Sequence, residues 1–462
     1  MIIGKEIQNH RNDIVKSLQE LVQIKSVKDE ACEGKPFGQG VGKALEYMLN
    51  LGESLGLKVK NVDGYAGHVE YGEGDEIVGV LVHLDVVPEG TGWSFPPFGG
   101  EIHEGKIYGR GTSDDKGPAV VALYSLKALK DAGIVPKRRI RIILGTNEES
   151  GMSDMEYYFS KEPVPHMGFS PDANYPIINR EKGILHLVFE KGENESLHNN
   201  PIYTLRGGEV INMVPPECRA FIPEDKIKPG EVELLKDIAQ KFNTSVSHIN
   251  DINGKGIEIL VKGKPAHAAS PQNGINAIYR MLSFLNMAGR ERYLDGFLKF
   301  LHEKIGEETT GSSLGIALKD EESGELTLNL GKIIKDDTGT KAFIDIRYPV
   351  TCKMEEVLAA IKEKTEKEGI VVKVLNHSEP LYVPETHPLI IRLITAYEKI
   401  TGEEAKLLSM GGGTYARTLK NNGVAFGGAG TGAHQPDENV SIDELMHHAE
   451  ICTQAIYELA CS

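Results

Sequence analysis

The order of apolar patterns along the chain predicts an α/β fold, an open mixed-sheet domain interrupted by a large inserted α+β domain. Three observations predict it. The run "VGVLVHLDVV" at residues 78–87 is apolar with little alternation, as expected of a strand covered on both faces. Comparable strands then alternate with helical patterns to about residue 182, the order of an open α/β sheet. Between 183 and 380 the texture changes to half-polar segments such as "GILHLVFEKG", "GIEILVKG", "GELTLNLGKI" and "KAFIDIRYPV", which suit a sheet with one wet face. Residues 1–182 and 381–462 are therefore assigned to one domain and 183–380 to the insertion.

The elements follow in order. Ile7, Ile14, Val15, Leu18, Leu21 and Val22 keep the helical period, and a second helix covers about 40–55. After the strand near 78–85 come a helix in "KGPAVVALYSLKALKDAG", a strand in "RIRIILGT", a short helix after Ser153 and a strand ending at "GFSPD". Beyond the insertion a helix is expected at about 388–400, a strand in "GVAF", and a last helix with Ile442, Leu445, Met446, Ala449, Cys452 and Ile456 in phase.

A chain of 462 residues is long for one core. Its 51 Lys+Arg against 67 Asp+Glu give a net charge of -16, which disfavours nonspecific binding to nucleic acid or an anionic membrane. No apolar run of about 18 residues and no signal-peptide pattern is present, so a cytoplasmic location is expected. Cys32, Cys218, Cys352, Cys452 and Cys461 are scattered and lack C-x-x-C spacing; they read as core thiols rather than a disulfide framework or thiolate metal site.

The polar residues collect where ligands bind in open α/β sheets, beyond the carboxyl ends of the strands. His83 and Asp85 stand one strand repeat apart, so they share a face, inside a run where each unpaired buried polar group would cost about 1 to 3 kcal/mol. "GRGTSDDKG" carries Asp114 and Asp115, "GTNEES" carries Glu148 and Glu149, "SPD" carries Asp172, and "GAHQPDEN" carries His434. Singly, each has an ordinary explanation: a helix N-cap, a solvated pair, a turn former, a structural histidine. Together, converging carboxylates would repel one another without a cation, and imidazole with carboxylate suits zinc, cobalt or manganese. On that reading His83 is a ligand and Asp85 the carboxylate that fixes its tautomer. Gly428, Gly430 and Ala433 in "GGAGTGAH" fit a dinucleotide pattern, but Pro436 follows where a helix should open.

The stretches "HLDVVP", "GWSFPPFGGEIHEGKIYGRGTSDDKG", "GTNEESG" and "GAHQPDEN" resemble, in that order, the two-metal peptidases and deacylases that include aminoacylase, acetylornithine deacetylase, succinyl-diaminopimelate desuccinylase and glutamate-releasing carboxypeptidases. The middle of the chain, with "INMVPPEC", "GKPAHAASPQNGINA" and "DIRYPV", is similar to the PepV-type dipeptidases, the bacterial Xaa-His or carnosinase-like branch. The resemblance implies a zinc-peptidase-like catalytic domain with a lid inserted into it. It implies two divalent ions, zinc or manganese with cobalt also suitable: His83 and Asp172 on one, Glu149 and His434 on the other, Asp114 bridging. It makes Glu148 the general base and places a cis peptide after Asp114. In the lid it gives His267 to the developing oxyanion, with Asn212 assisting, and Arg347 to the C-terminal carboxylate of a short peptide; Gly430 would add a backbone contact. The size of the lid implies a monomer with His267 acting on its own chain. Hydrolysis of dipeptides is the function implied, and deacylation of N-acyl amino acids or noncatalytic metal-dependent binding are the alternatives.

Overall fold

Strand Ile77–His83 is buried along its whole length, and its two faces show why the sequence does not alternate there. Val78, Val80 and Val82 enter the main core, whereas Leu81 packs with Ile143, Tyr158 and Tyr415 on the opposite side. Arg139–Gly145 and Met167–Ser170 flank it in parallel, and Gly423–Ala425 continues the parallel run. The antiparallel pair Lys58–Val62 and Ala66–Tyr71 closes one edge, which makes the nine-stranded sheet mixed.

The computed structural model describes residues 1–191, 200–251 and 254–461; residues 192–199, 252 and 253 of the expected insertion, and Ser462, lie outside the description. Contacts divide the chain into two units. One holds Met1–Arg180, Leu381–Ser409 and Gly413–Ser462, the other Glu181–Pro380 and Met410–Gly412.

In the first unit, helices Lys116–Asp131 and Ile442–Cys461 pack together beside the sheet. The former is buried on nearly every side, as a helix without a polar face must be. Its one buried cation is Lys116, whose Nζ donates to the carbonyls of Leu21 (3.1 Å) and Ile24 (2.7 Å) and so closes the end of helix Arg11–Val22. The expected helices at 40–55 and 388–400 are Gln39–Ser54 and Pro388–Thr401. Pro388 opens the latter, where no N–H is needed, and Gly402 ends it at φ 73°.

Eight antiparallel strands make the sheet of the second unit. Leu185, Leu187 and Phe189 from Gly183–Lys191, and Ala342, Ile344 and Ile346 from Gly339–Tyr348, face its core. Helix Ala277–Tyr293 covers that face and starts at Asn276, whose side chain accepts the amides of Ile278 (2.9 Å) and Tyr279 (3.1 Å).

Several elements escape the sequence patterns, the edge pair Lys58–Val62 and Ala66–Tyr71 among them. Asn439–Ser441 joins Lys106–Tyr108 and Glu101–His103 in a three-stranded sheet, and Val371–Ser378 forms a sheet edge with Val371, Val374 and Leu375 exposed. One expectation is corrected: Cys218 and Cys452 are core thiols, but Cys352 and Cys461 are only half-buried and Cys32 is exposed, in a loop that buries little. Among the described residues no helix is long and apolar enough to cross a membrane.

Two buried histidines set an acid limit on stability. Burial, with Arg141 adding to it at His68 and His447 at His448, pushes both imidazoles down to about 3. An unfolded histidine titrates near 6.5, so between those values the unfolded chain takes up protons that the folded chain refuses. Their contribution is complete above about pH 6.5 and is lost as pH falls towards 3, by at most about 1.4 kcal/mol per pH unit for each. In denaturant titrations across this range, His68→Gln should show a shallower pH dependence than the parent; an unchanged slope would contradict the assignment.

Candidate active site

Four neighbouring strands deliver the candidate residues at their carboxyl ends. His83 closes Ile77–His83; Glu148 and Glu149 follow Arg139–Gly145; Asp172 follows Met167–Ser170; the glycine-rich run after Gly423–Ala425 leads to His434. Asp114 stands in the turn before helix Lys116–Asp131. Parallel register is what makes these ends adjacent.

The residues converge. Asp114 directs one carboxylate oxygen to each imidazole: Oδ1 lies 2.9 Å from His83 Nε2 and Oδ2 3.1 Å from His434 Nε2. His434 Nε2 is also 3.1 Å from Glu149 Oε1, and His83 Nε2 is 3.7 Å from Asp172 Oδ2. His83, Asp114 and Glu149 form one group whose ligand atoms lie within 4.8 Å of one another, and His83, Glu148 and Asp172 form a second. His434 holds its position with a backbone φ of 63°, a conformation that a non-glycine residue adopts under local constraint. The Asp114–Asp115 peptide is cis, as the resemblance implies.

Two of the ordinary explanations, the helix cap and the solvated pair, fail on bonding and burial. Asp115 makes no side-chain cap to the helix it precedes, and the Glu149 side chain is only 11% exposed. Burial pushes the carboxyls of Asp115, Glu148, Glu149 and Asp172 upward; neighbouring carboxylates add to it and the histidines oppose it. Burial also works against the Asp114 charge, but hydrogen bonds with His434 and His83 outweigh it and hold that carboxyl far below its usual range. Such a set is short of positive charge.

The tautomer of His83 sharpens this. Its Nδ1 is 2.9 Å from the carbonyl oxygen of Asp85, which can only accept, so Nδ1 carries a proton and Nε2 faces Asp114. Between Nε2 and Asp114 Oδ1, 2.9 Å apart, stands either the second proton of an imidazolium, which, against burial, the surrounding carboxylates favour, or, in the neutral ring, a bound cation. Two imidazoles with four carboxylates are a donor set that zinc, cobalt or manganese accepts, and the residues fit a divalent metal centre.

Asp85 stands beside the same ring: its carboxylate Oδ1 is 3.6 Å from Nδ1, and its backbone carbonyl is the nearer acceptor at 2.9 Å. The carboxylate accepts the amides of Glu148 (3.1 Å) and Glu149 (3.2 Å) and so orients the turn that carries both acids. From the other side Asp154, which sequence reasoning missed, accepts the amides of Thr146 (2.6 Å) and Asn147 (3.0 Å) and the hydroxyl of Tyr415. Only its place in the short helix after the acidic turn could have pointed to it.

Beside Asp114 and Asp172 lies a cavity of about 670 Å³ lined also by Gly430, Thr431 and His448. Gly430 has φ 97°, and a Cβ there would stand 2.6 Å from the Asn439 carbonyl oxygen and 3.0 Å from Ser113. The backbone reaches the cavity wall because no side chain intervenes.

The second unit holds the other three predicted residues. Asn212 and His267 are neighbours: the Asn212 carbonyl accepts the amide of Ala268 (2.9 Å), and Met213 bridges His267. His267 Nδ1 accepts the amide of Ala269 at 3.1 Å, which leaves Nε2 as the N–H of the neutral ring. Arg347 is on strand Gly339–Tyr348 of this unit, with Nε and Nη2 held by Asp345 (2.6 and 2.7 Å) and Nη1 by the Gly411 carbonyl (2.9 Å). Among the described residues these bonds use three of its five N–H groups.

Comparison with known proteins gives the family and the fold. A model of peptidase family M20/M25/M40 matches residues 79–458. The chain is 41% identical to "Putative dipeptidase YtjP" of Bacillus subtilis (strain 168), over 98% of this chain and 99% of that one. It is 34% identical to "Putative dipeptidase SSP1012" of Staphylococcus saprophyticus, over 98% of each. Among solved structures it shares its fold with the di-peptidase Dug1p of Saccharomyces cerevisiae (TM-score 0.60, 14% identity, 100% of this chain and 98% of that one) and with human carnosine dipeptidase 1 (TM-score 0.59, 15% identity, 99% and 98%). The chain belongs to peptidase family M20/M25/M40, a metal-dependent hydrolase family.

Proposed function

We propose that this protein is a dipeptidase that cleaves the amide bond of short unblocked peptides with two divalent ions, zinc or manganese. One observation carries the proposal: Asp114 faces a different imidazole with each of its oxygens, and Glu148 stands beside the same cluster. The curated relatives over nearly the full chain are named as dipeptidases, which supports the substrate class.

In this reading His83 and Asp172 would hold one ion and Glu149 and His434 the other, with Asp114 shared between them. Bound ions supply polarisation of the scissile carbonyl and a lowered pKa for water. Glu148 takes the proton of the attacking water; water oxygen bonds to the carbonyl carbon, the C–N bond breaks, and Glu148 returns the proton to the leaving amine. His267 donates its Nε2–H to the developing oxyanion, with Asn212 assisting. Arg347 holds the peptide's C-terminal carboxylate, and Gly430 adds a backbone contact. The chain acts in the cytoplasm as a monomer, with His267 serving its own active site.

A panel of dipeptides, tripeptides and N-acetyl and N-succinyl amino acids, assayed with zinc-loaded and manganese-loaded protein, tests this. Dipeptides should be cleaved with the highest kcat/KM. Cleavage of the acyl substrates alone would make the protein a deacylase, and absence of hydrolysis across the panel would leave a noncatalytic metal-dependent binding protein.

A further inference from the structure

Behind the cluster lies a buried charge pair to which the proposed chemistry assigns no role. Glu438 is fully buried and Arg110 is 2% exposed, and Arg110 Nη1 donates to Glu438 Oε2 at 2.6 Å. The guanidinium also packs over the Trp93 ring, 5.2 Å from its centroid. The other oxygen of Glu438 does something less ordinary for an ion pair. Oε1 accepts three backbone amides of one turn: Gly111 at 3.1 Å, Ser113 at 2.9 Å and Asp114 itself at 3.1 Å.

The placement matters because of what each end carries. Glu438 is four residues beyond His434, and the turn it grips ends on Asp114. Its own amide group belongs to the same link, since the Glu438 carbonyl accepts the Gly109 amide at 2.9 Å. One carboxylate thus ties the segment of one imidazole ligand to the turn of the shared carboxylate, across more than 320 positions of sequence. A turn with three inward amides and no acceptor would either rearrange or leave buried donors unsatisfied.

We propose that Glu438 is a positioning residue for the metal centre: Oε1 fixes the backbone of residues 111–114 so that Asp114 offers one oxygen to each side. Arg110 holds the second oxygen and thereby keeps Oε1 turned towards the amides. This rests on the reading of Asp114 as the shared ligand.

The test is zinc affinity, measured by competition with a chromophoric chelator on the full-length protein, with no activity assay involved. In Glu438→Gln one end of the side chain is an amide NH2, which must face either Arg110 or the three amides, and both are donors. Affinity should fall about 10- to 100-fold, the usual effect of losing a group that orients a ligand. The double variant Arg110→Met/Glu438→Gln removes that conflict and keeps an oxygen for the three amides, so it should recover to within a few-fold of the parent. Parental affinity in Glu438→Gln would overturn the proposal, as would a double variant that binds no better than the single one. If Glu438→Gln does not fold, the double variant decides alone: near-parental affinity supports the proposal and weak binding overturns it. A parent chain that takes up no zinc would sink the metal reading and this inference with it; a parent that binds zinc beside an unaffected Glu438→Gln would sink this inference only.

Discussion

Glu148→Gln is expected to keep its divalent ions and to lose turnover by about 10²- to 10⁴-fold, the usual contribution of a positioned general base. The substitution preserves shape and hydrogen-bonding reach, yet a carboxamide cannot take up a proton at neutral pH. Metal content and kcat must be measured on the same preparation, because the geometry poses a sharp alternative. Glu148 shares a ligand-distance group with His83 and Asp172, so it could in principle serve as a ligand instead. If it did, Glu148→Gln would lose metal and activity together. Retained metal with near-parental activity would remove Glu148 from the chemistry. The amide of Glu148 remains bonded to Asp85 in either case, so the turn itself should not move.

Asp114→Ala should have the second large effect, of a different kind. Its two oxygens are the only described carboxylate pair that stands within 3.1 Å of both imidazoles. Removing it leaves His83 Nε2 and His434 Nε2 without the group between them, and a second ion loses its shared anchor. Metal stoichiometry should fall below two per chain, and dipeptide hydrolysis should fall by about a thousandfold or more, as several kcal/mol of transition-state stabilisation depend on the ions. Elemental analysis and steady-state kinetics on zinc-reconstituted protein check both. Asp115→Ala is the control: its Oδ2 accepts the His83 amide at 3.1 Å, but it faces neither imidazole nitrogen, so stoichiometry should stay at two.

What could be read from the sequence, and what could not, divides along a physical line. The strand at 78–83 was legible because burial on two faces forces an unbroken apolar run, and its end was legible because only a paired histidine belongs in such a run. The carboxylates were legible because a parallel sheet gathers its strand ends whatever the connections between them. A period of two puts Asp85 on the face of His83 but does not say which of its oxygens lies nearest the ring, which is the backbone carbonyl at 2.9 Å. Glu438 and Arg110 were within the quoted stretches "GAHQPDEN" and "GRGTSDDKG" and still carried no signal. Three of Glu438's partners are backbone amides, which every residue type but proline supplies, at the far end of the chain. The same holds for strand Asn439–Ser441, three residues long, whose partner strand lies more than 300 positions away. The edge strand Val371–Ser378 was hidden by its own exposure, because a strand that buries little has little pattern to show.

The most direct test of the centre is anomalous diffraction from a crystal of the zinc-loaded protein, collected on both sides of the zinc edge. Two anomalous peaks should appear, one touching His83 and Asp172, the other Glu149 and His434, with Asp114 in contact with both. A single peak, or zinc bound away from Asp114, would contradict the shared-carboxylate centre on which the proposed chemistry depends.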